Sequence, residues 1–229
     1  MIQNQKLAAL FQDLTDSELI FRELYFAKKD PDQLRRYLAA LPRERQNLVR
    51  EWLLAEKGVI LSELTENLVE FDFVDNIIVT RHARYTPAFV HKHTFFEIVC
   101  VLEGSCINRI GDTQLFMNDG DLCIIPPGVF HALQETKDSH ICNILIKHYS
   151  LMETFSNFLL QKNVLASFFI QSLYMKNTGH YLSFHTEGDE KIQYLLEALI
   201  LEGLPDAGKK KDEQHSALKE AYLNAIFNY

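Results

Sequence analysis

The side chains best suited to chemistry in this sequence are three histidines and a glutamate in two short runs. His91, His93 and Glu97 lie close together, and His131 follows later, just past the turn at Pro126-Pro127-Gly128. Side chains alternate across a strand, so the first three would project from one face if their run is extended. Three imidazoles and one carboxylate suit a divalent transition metal such as Zn, Ni, Fe or Mn. The spacing predicts a metal site gathered from two strands of a small barrel.

The same side chains also support an interpretation without metal. They could recognise a polar or acidic effector by hydrogen bonding, with the histidines partly protonated. The sequence leaves both interpretations open. The remaining histidines, His82 among them, show no ligand spacing and are interpreted as surface or structural residues.

Composition narrows the class of protein. A chain of 229 residues with 47% hydrophobic content can bury a core as one large domain, or as one domain with helical flanks. Asp and Glu total 31 against 23 Lys and Arg, which argues against nucleic-acid binding by this chain alone. We expect a cytoplasmic protein without a membrane partner, since the sequence shows no signal peptide and no long apolar run. The cysteines sit among apolar residues and are predicted to be buried and reduced: Cys100, Cys106, Cys123 and Cys142.

Residues 1–70 have a helical pattern. Thr15 with Glu18 forms a candidate capping box, and Asp30 before Pro31 is typical of a helix start. We expect an N-terminal helical region that packs on the rest of the chain or on a dimer mate. A second protein-binding element is the alternative.

Residues 71–149 change to a period of two, with closely spaced turn signals. Those signals are Glu103-Gly104, Gly111-Asp112, Asn118-Asp119-Gly120 and Pro126-Pro127-Gly128. Such spacing is typical of an antiparallel sandwich or barrel. The predicted fold class is therefore α+β, an antiparallel β-barrel flanked by N-terminal and C-terminal helices.

Residues 150–229 return to a helical pattern, with Ser150 and Glu153 as a second candidate capping box. Leu204 to Lys211 is interpreted as a connector between two helices. In the last helix, Leu218, Tyr222 and Ile226 share one face, and the apolar stripe reaches the final residue without a stop signal. We expect this face to form a homodimer and the natural polypeptide to continue beyond it. A docked C-terminal helix that ends there naturally is the alternative.

The central region resembles a known superfamily. The spacings His91-x-His93-x3-Glu97-x6-Gly104 and Gly120-x5-Pro126-x-Gly128-x2-His131 are similar to the paired motifs of the cupins. The resemblance implies a small jelly-roll β-barrel that often holds a metal between the motifs. Two positions depart from it: Tyr85 stands where the first motif usually opens with glycine, and Glu135 where the second closes with asparagine.

The residues around these motifs narrow the resemblance. The runs from Phe96 to Gly104 and from Gly120 to Pro126 resemble the sensor domain of AraC-type transcription regulators. The resemblance covers about residues 71–229. It implies that the cupin binds a small-molecule effector, that helices after it dimerise, and that DNA is bound only through a downstream helix-turn-helix domain absent from this chain. A metal-dependent cupin enzyme of the dioxygenase or isomerase type is the alternative, and it rests on the four candidate ligands alone.

The barrel interior can be sketched from the turn positions. If Glu103-Gly104 is a two-residue hairpin turn, the strands on either side of it pair, and their inner faces share one parity. The expected pairs are Val101 with Cys106, Val99 with Asn108, and Glu97 with Ile110. This places Cys106, Asn108 and Ile110 beside the metal candidates, with Phe95 at the mouth, as a ligand-binding set.

Overall fold

A computed structural model describes residues 4–58, 62–66, 75–135, 138–174, 180–204 and 213–229. The predicted boundary at residues 70 and 71 lies outside these ranges, as does the connector after Leu204. Over the part that is described, no helix has the length and hydropathy needed to cross a membrane.

The N-terminal region folds into helices, as predicted. They are α1 (Gln5–Leu10), α2 (Asp16–Ala27), α3 (Pro31–Ala40) and α4 (Arg43–Glu56). The capping box at α2 is confirmed: the Thr15 hydroxyl accepts from the Glu18 N–H at 3.2 Å, and the Glu18 carboxylate accepts from the Thr15 N–H at 2.7 Å. Asp30 caps α3, with Pro31 in its first turn.

Glu18 also fastens these helices to the β-structure. Its carboxylate accepts from the Arg84 backbone N–H at 2.9 Å and lies 3.2 Å from the Arg81 guanidinium. Burial acts to raise the pKa of Glu18, but these donors and charges outweigh it, so the pKa is lowered. Leu7 and Phe11 insert into the main hydrophobic core. These contacts favour the interpretation in which the N-terminal helices pack on the β-structure.

The strands form two five-stranded sheets. They are β1 (Ser62–Leu64), β2 (Ile77–Arg81), β3 (His91–His93), β4 (Phe96–Glu103), β5 (Ser105–Ile110), β6 (Thr113–Asn118), β7 (Asp121–Ile125), β8 (His131–Glu135), β9 (His140–Ile146) and β10 (Leu182–His185). The first sheet has the order β1-β3-β8-β5-β6, and the second has the order β10-β7-β4-β9-β2. The described sheets face each other without closing into a barrel, so the α+β prediction is confirmed with a sandwich in place of the barrel.

Two strands lie in regions where the sequence pattern predicted only helices. Residues Ser62–Leu64 pair in parallel with His91–His93, and Leu182–His185 extends the second sheet beside β7. Both are short edge strands, whose pairing depends on the neighbouring strand more than on their own pattern.

The predicted hairpin between β4 and β5 is wrong. β4 pairs with β7 and β9 in the second sheet, whereas β5 pairs with β6 and β8 in the first. At Gly104 the chain crosses from one sheet to the other with φ +95°, and a Cβ at this position would overlap the Ser139 side chain. The expected pairs of Val101 with Cys106, Val99 with Asn108 and Glu97 with Ile110 therefore do not form. Their shared inner face is correct, because alternation along each strand does not depend on pairing.

Each face of the second sheet has its own hydrophobic cluster. The inner cluster joins both sheets through residues such as Val99, Val101, Cys106 and Ile110. The outer cluster, which includes Ile98 and Cys100, lies beneath helices. The covering helices are α5 (His148–Thr154), α6 (Ser156–Leu159), α7 (Val164–Tyr174), α8 (Glu190–Gly203) and α9 (Glu213–Phe227). The cysteines are buried and free, as predicted.

The capping box predicted at Ser150 is wrong. Helix α5 begins two residues earlier, at His148, and the Ser150 hydroxyl instead donates to the Asn76 side chain at 2.7 Å. A long-range partner has replaced the local one that the sequence pattern suggested.

Helix α9 turns its most apolar face toward its own chain. Leu223 and Phe227 are buried in the outer cluster, and Tyr222 and Ile226 pack partly against it. Of the predicted dimerisation residues, Leu218 is exposed. The homodimer through Leu218, Tyr222 and Ile226 stays a prediction.

Candidate functional site

The candidate metal ligands converge from both sheets at one end of the sandwich. His91 and His131 are paired residues on neighbouring strands of the first sheet, with ring centroids 4.2 Å apart. Glu97 approaches from the second sheet, because the chain bends at residues 94–95 between β3 and β4. The sequence pattern predicts one continuous strand for these residues, and the structure instead has two strands separated by the bend. The bend brings the carboxylate to the histidines from the opposite wall.

The distances within this cluster are short. Glu97 Oε2 lies 3.2 Å from His131 Nε2 and 3.4 Å from His93 Nε2. One ligand atom from each of His91, Glu97 and His131 falls within 4.8 Å of the others. All four side chains are buried, with His93 only 1% exposed.

Backbone carbonyls orient two of the rings. His93 Nδ1 lies 2.6 Å from the Phe95 carbonyl oxygen, and His91 Nδ1 lies 3.2 Å from the Phe89 carbonyl oxygen. A carbonyl only accepts, so the nitrogen facing it carries the proton and Nε2 keeps its lone pair. Metal-binding histidines are commonly held in this way.

Several polar atoms of the cluster lack a hydrogen bond. Among the described residues, His93 Nε2, Glu97 Oε2 and both ring nitrogens of His131 have no hydrogen-bond partner. Buried polar atoms without partners are rare and destabilising, and a bound ion or water is one way in which they are satisfied. The donor set and its orphaned atoms therefore fit a divalent metal.

The protonation states agree with this fit. Burial, assisted by the neighbouring His131, lowers the pKa of His91 to about 4, so its ring is neutral at pH 7. Burial alone would raise the pKa of Glu97, but the adjacent His131 and His93 rings outweigh it and hold the pKa well below its usual range. A neutral imidazole and an ionised carboxylate are the forms that bind metals.

The predicted ligand-binding residues occupy distinct places. Phe95 is buried and stacks on the His93 ring at 4.7 Å, so it supports a candidate ligand and does not line a mouth. Cys106 and Ile110 belong to the inner apolar wall. Asn108 lies between them, fully buried, and both polar atoms of its amide lack a partner among the residues described.

His82 is an inner-face residue that the sequence interpretation missed. It follows β2, where its backbone N–H donates to the Ile141 carbonyl at 2.8 Å. Its Nε2 is buried and has no hydrogen bond within the described part of the chain. Burial lowers its pKa to about 4, and Glu97 and His131 are among the charges that act on it. The only indication of this position in the sequence is that His82 has the same parity as Ile78 and Thr80, which places the three side chains on one face.

The two departures from the cupin motifs contact each other. Tyr85 has φ +62°, a conformation that glycine adopts more readily, and its N–H donates to Glu135 Oε2 at 2.9 Å. The Glu135 carboxyl group thus accepts a hydrogen bond from the N–H of a residue whose backbone is in the left-handed region. Burial raises the pKa of Glu135 to about 8.

Comparison with known proteins assigns the family. A family model described as "AraC-like ligand binding domain" matches residues 77–218, more than half of the chain. The chain belongs to this family. The matched AraC-like region contains every candidate ligand and reaches into α9, and the predicted cupin fold and AraC-type sensor domain are confirmed. No curated protein sequence matches the chain significantly.

Solved structures overlap with parts of this AraC-like chain. An RmlC-like cupin from Shewanella frigidimarina has 16% identity and a TM-score of 0.29, and the match covers 31% of this chain and 66% of that one. KdgF from Halomonas sp. has 18% identity and a TM-score of 0.25, with 31% and 61% covered. An apo ToxT variant from Vibrio cholerae has 9% identity and a TM-score of 0.43, with 67% and 55% covered. The matches span less than two thirds of the first two proteins.

Proposed function

We propose that this chain is the effector-sensing and dimerisation domain of an AraC-type transcription regulator. A small molecule, a metal or both bind between the two sheets, and DNA is bound by a domain outside this chain. The observation that carries the proposal is the set of buried, unpartnered polar atoms on the inner faces of the sandwich, at His93, Glu97, Asn108 and His131. A polar ligand would satisfy these atoms, which the surrounding apolar wall cannot do.

His91, Glu97 and His131 would hold the metal, with His93 beside them as a fourth donor. A bound divalent ion would act there as a Lewis acid that attracts an oxygen of the effector. The chain's own residues then have separate tasks. The Phe89 and Phe95 carbonyls orient the histidines, and Glu97 supplies the negative charge.

Two further inner-face groups would contact the organic part of an effector. His82 follows the edge strand of the second sheet, and Asn108 lies on β5 of the first. His82 presents a neutral ring nitrogen, whereas the Asn108 amide offers both a donor and an acceptor. This combination favours an uncharged polar group such as a hydroxyl or carbonyl over a second cation.

The second sheet connects the proposed effector site to the C-terminal helices. Its inner face carries Glu97, and the adjacent Ile98 points to the outer face, in the cluster that α8 and α9 cover. An effector that prefers one arrangement of Glu97 would therefore shift the population of helix arrangements. The dimer through Leu218, Tyr222 and Ile226 would pass this shift to the DNA-binding domains.

A metal-dependent enzyme is the second candidate, because the same cluster of His91, Glu97 and His131 would serve a cupin dioxygenase or isomerase. An enzyme would turn over a substrate at the metal, whereas a sensor would bind its effector without changing it. Family membership supports the sensor.

Metal content tests the site directly. We expect the chain, purified without a metal-chelating tag and analysed for elements, to contain stoichiometric first-row metal. A His91→Ala, His131→Ala double variant should contain none, and His185→Ala, an exposed histidine outside the cluster, should keep it. Metal at 100 times its Kd should add about 2.7 kcal/mol to the free energy of unfolding, measured against chelator-treated protein.

Three other outcomes of these measurements would change the proposal. Metal retained by the double variant would place the ion elsewhere, and no uptake by wild type after incubation with each ion would leave an organic-ligand pocket. Turnover of a small-molecule substrate by metal-loaded protein, lost in the double variant, would replace the sensor with the enzyme.

A further inference from the structure

A cavity lies outside the sandwich, between the outer face of the second sheet and the C-terminal helices. Its volume is about 480 Å³. The floor consists of Ile98, Ile124 and Ile144 from β4, β7 and β9. The second sheet separates this cavity from the proposed effector site, whose residues lie on the inner faces. The walls come from the start of α7 and from α8 and α9, through residues such as Val164, Leu196, Leu223 and Ile226.

The lining is mainly apolar, and three of its polar groups already have partners. Asn163 accepts from the Ala166 N–H at 2.7 Å, Asp189 accepts from the Ile192 N–H at 3.1 Å, and Thr186 donates to the Gly120 carbonyl at 2.5 Å. The described lining contains no lysine or arginine. The histidine of the described lining, His185, already pairs with the Asp121 carboxylate, so an anionic ligand would find no free counter-charge here. A strongly polar ligand would lose its hydrogen bonds to water. The chemistry selects a neutral, apolar ligand.

The size of the cavity also indicates a ligand. Protein interiors are close-packed, with few voids larger than a water molecule. An apolar cavity of roughly 150 Å³ is enough for benzene, and small-molecule sites span about 300–1,000 Å³. A volume of about 480 Å³ suits a molecule with two or three fused rings or a medium-length hydrocarbon chain.

An entrance is present at the surface. Val164 and Tyr229 line the cavity and are 75% and 58% exposed, and Phe184 beside them is 36% exposed. The floor residue Ile98 is only 3% exposed. The cavity therefore runs from an exposed apolar rim down to a buried apolar floor.

We propose that this cavity is a second ligand site, which takes one neutral apolar small molecule and thereby fastens α9 to the sheet. Helix α9 contributes Leu223, Ile226 and Phe227 to the lining, so an occupant adds contacts between this helix and the sheet. The site is separate from the proposed effector site and does not depend on a metal. A ligand bound here would act on the C-terminal helices directly, without the effector site.

N-phenyl-1-naphthylamine, a neutral fluorescent probe, tests this proposal on the folded chain. We expect saturable binding of one probe per chain, about tenfold weaker in Val164→Trp because the indole occupies the entrance. Leu160→Trp is the matched control, since Leu160 is 82% exposed and lies outside the lining, and it should bind as wild type does. Both positions are exposed, so neither indole should disturb the core.

A second pair, on α9, tests the wall that this helix contributes to the cavity. Ile226→Trp should weaken probe binding, whereas Ala217→Trp, which adds the same indole at an exposed position of the helix outside the lining, should not. Bound probe should also slow amide hydrogen exchange in α9. Absence of saturable binding, or equal affinities for Val164→Trp and Leu160→Trp, would overturn the proposal. Loss of probe binding in Asn108→Leu would place the probe between the sheets and would equally overturn it.

Discussion

Replacing Lys219 with methionine is expected to lower the free energy of unfolding by about 3–5 kcal/mol. Lys219 lies on α9, is 4% exposed, and donates through Nζ to the Asp75 carboxylate and, at 2.8 Å, to the Ile77 carbonyl. Asp75 is 2% exposed. The variant would leave this carboxylate buried without its cation. This costs far more free energy than the loss of an exposed ion pair.

Urea unfolding of the variant measures the loss, and a double variant assigns its cause. Lys219→Met with Asp75→Asn removes both charges, so it should recover most of the stability. Hydrogen exchange should show α9 opening more readily in the single variant than in the double. A loss below about 1 kcal/mol, the usual value of a surface pair, would mean that the pair is solvated. The prediction matters for the proposed function because Lys219 joins α9 to the start of β2, an edge strand of the second sheet.

The strand pattern could be predicted from local sequence, but the sheet to which each strand belongs could not. Glu103-Gly104 and Gly111-Asp112 give similar turn signals. Only the second joins paired neighbours, with Ile110 opposite Thr113, whereas the first carries the chain to the other sheet. What distinguishes them is the space beside Gly104, which Ser139 fills from a distant part of the chain. Inner and outer faces were predictable, because alternation is a property of each strand alone.

The candidate site divides in the same way. Ligand spacing drew attention to His91, His93, Glu97 and His131, since their chemistry is readable from residue type. His82 has no such spacing, and although alternation along β2 places it on the inner face, its nearness to Glu97 and His131 depends on contacts between distant strands. A long-range contact cannot be read from a short motif.

The contact between Tyr85 and Glu135 is a further example. Each residue is noticeable in the sequence only as a departure from a motif, and the N–H to carboxylate hydrogen bond between them spans 50 positions. Together they replace a glycine and an asparagine with a left-handed tyrosine and a buried acid. The consequence is a titratable group inside the sandwich wall.

Glu135→Gln is therefore expected to stabilise the protein at neutral and alkaline pH. Burial raises the pKa of Glu135 to about 8; the Tyr85 N–H opposes this, and the nearby Asp138 and Glu18 charges add to it. An unfolded glutamate titrates near 4.5. Between these pH values the folded chain holds a proton that the unfolded chain has released, so the stability that this group contributes below pH 4.5 is lost as pH rises toward 8.

Glutamine stays neutral and can still accept from the Tyr85 N–H, so it removes this slope. The free energy of unfolding of Glu135→Gln should exceed that of wild type by about 3 kcal/mol at pH 7, and the two should converge as pH falls to 4.5. Urea titrations at pH 5 and pH 8 measure the difference. Glu187→Gln, an exposed position, is the matched control and should follow wild type at both pH values. Parallel pH profiles for wild type and Glu135→Gln would show that the carboxyl is already ionised in the folded protein.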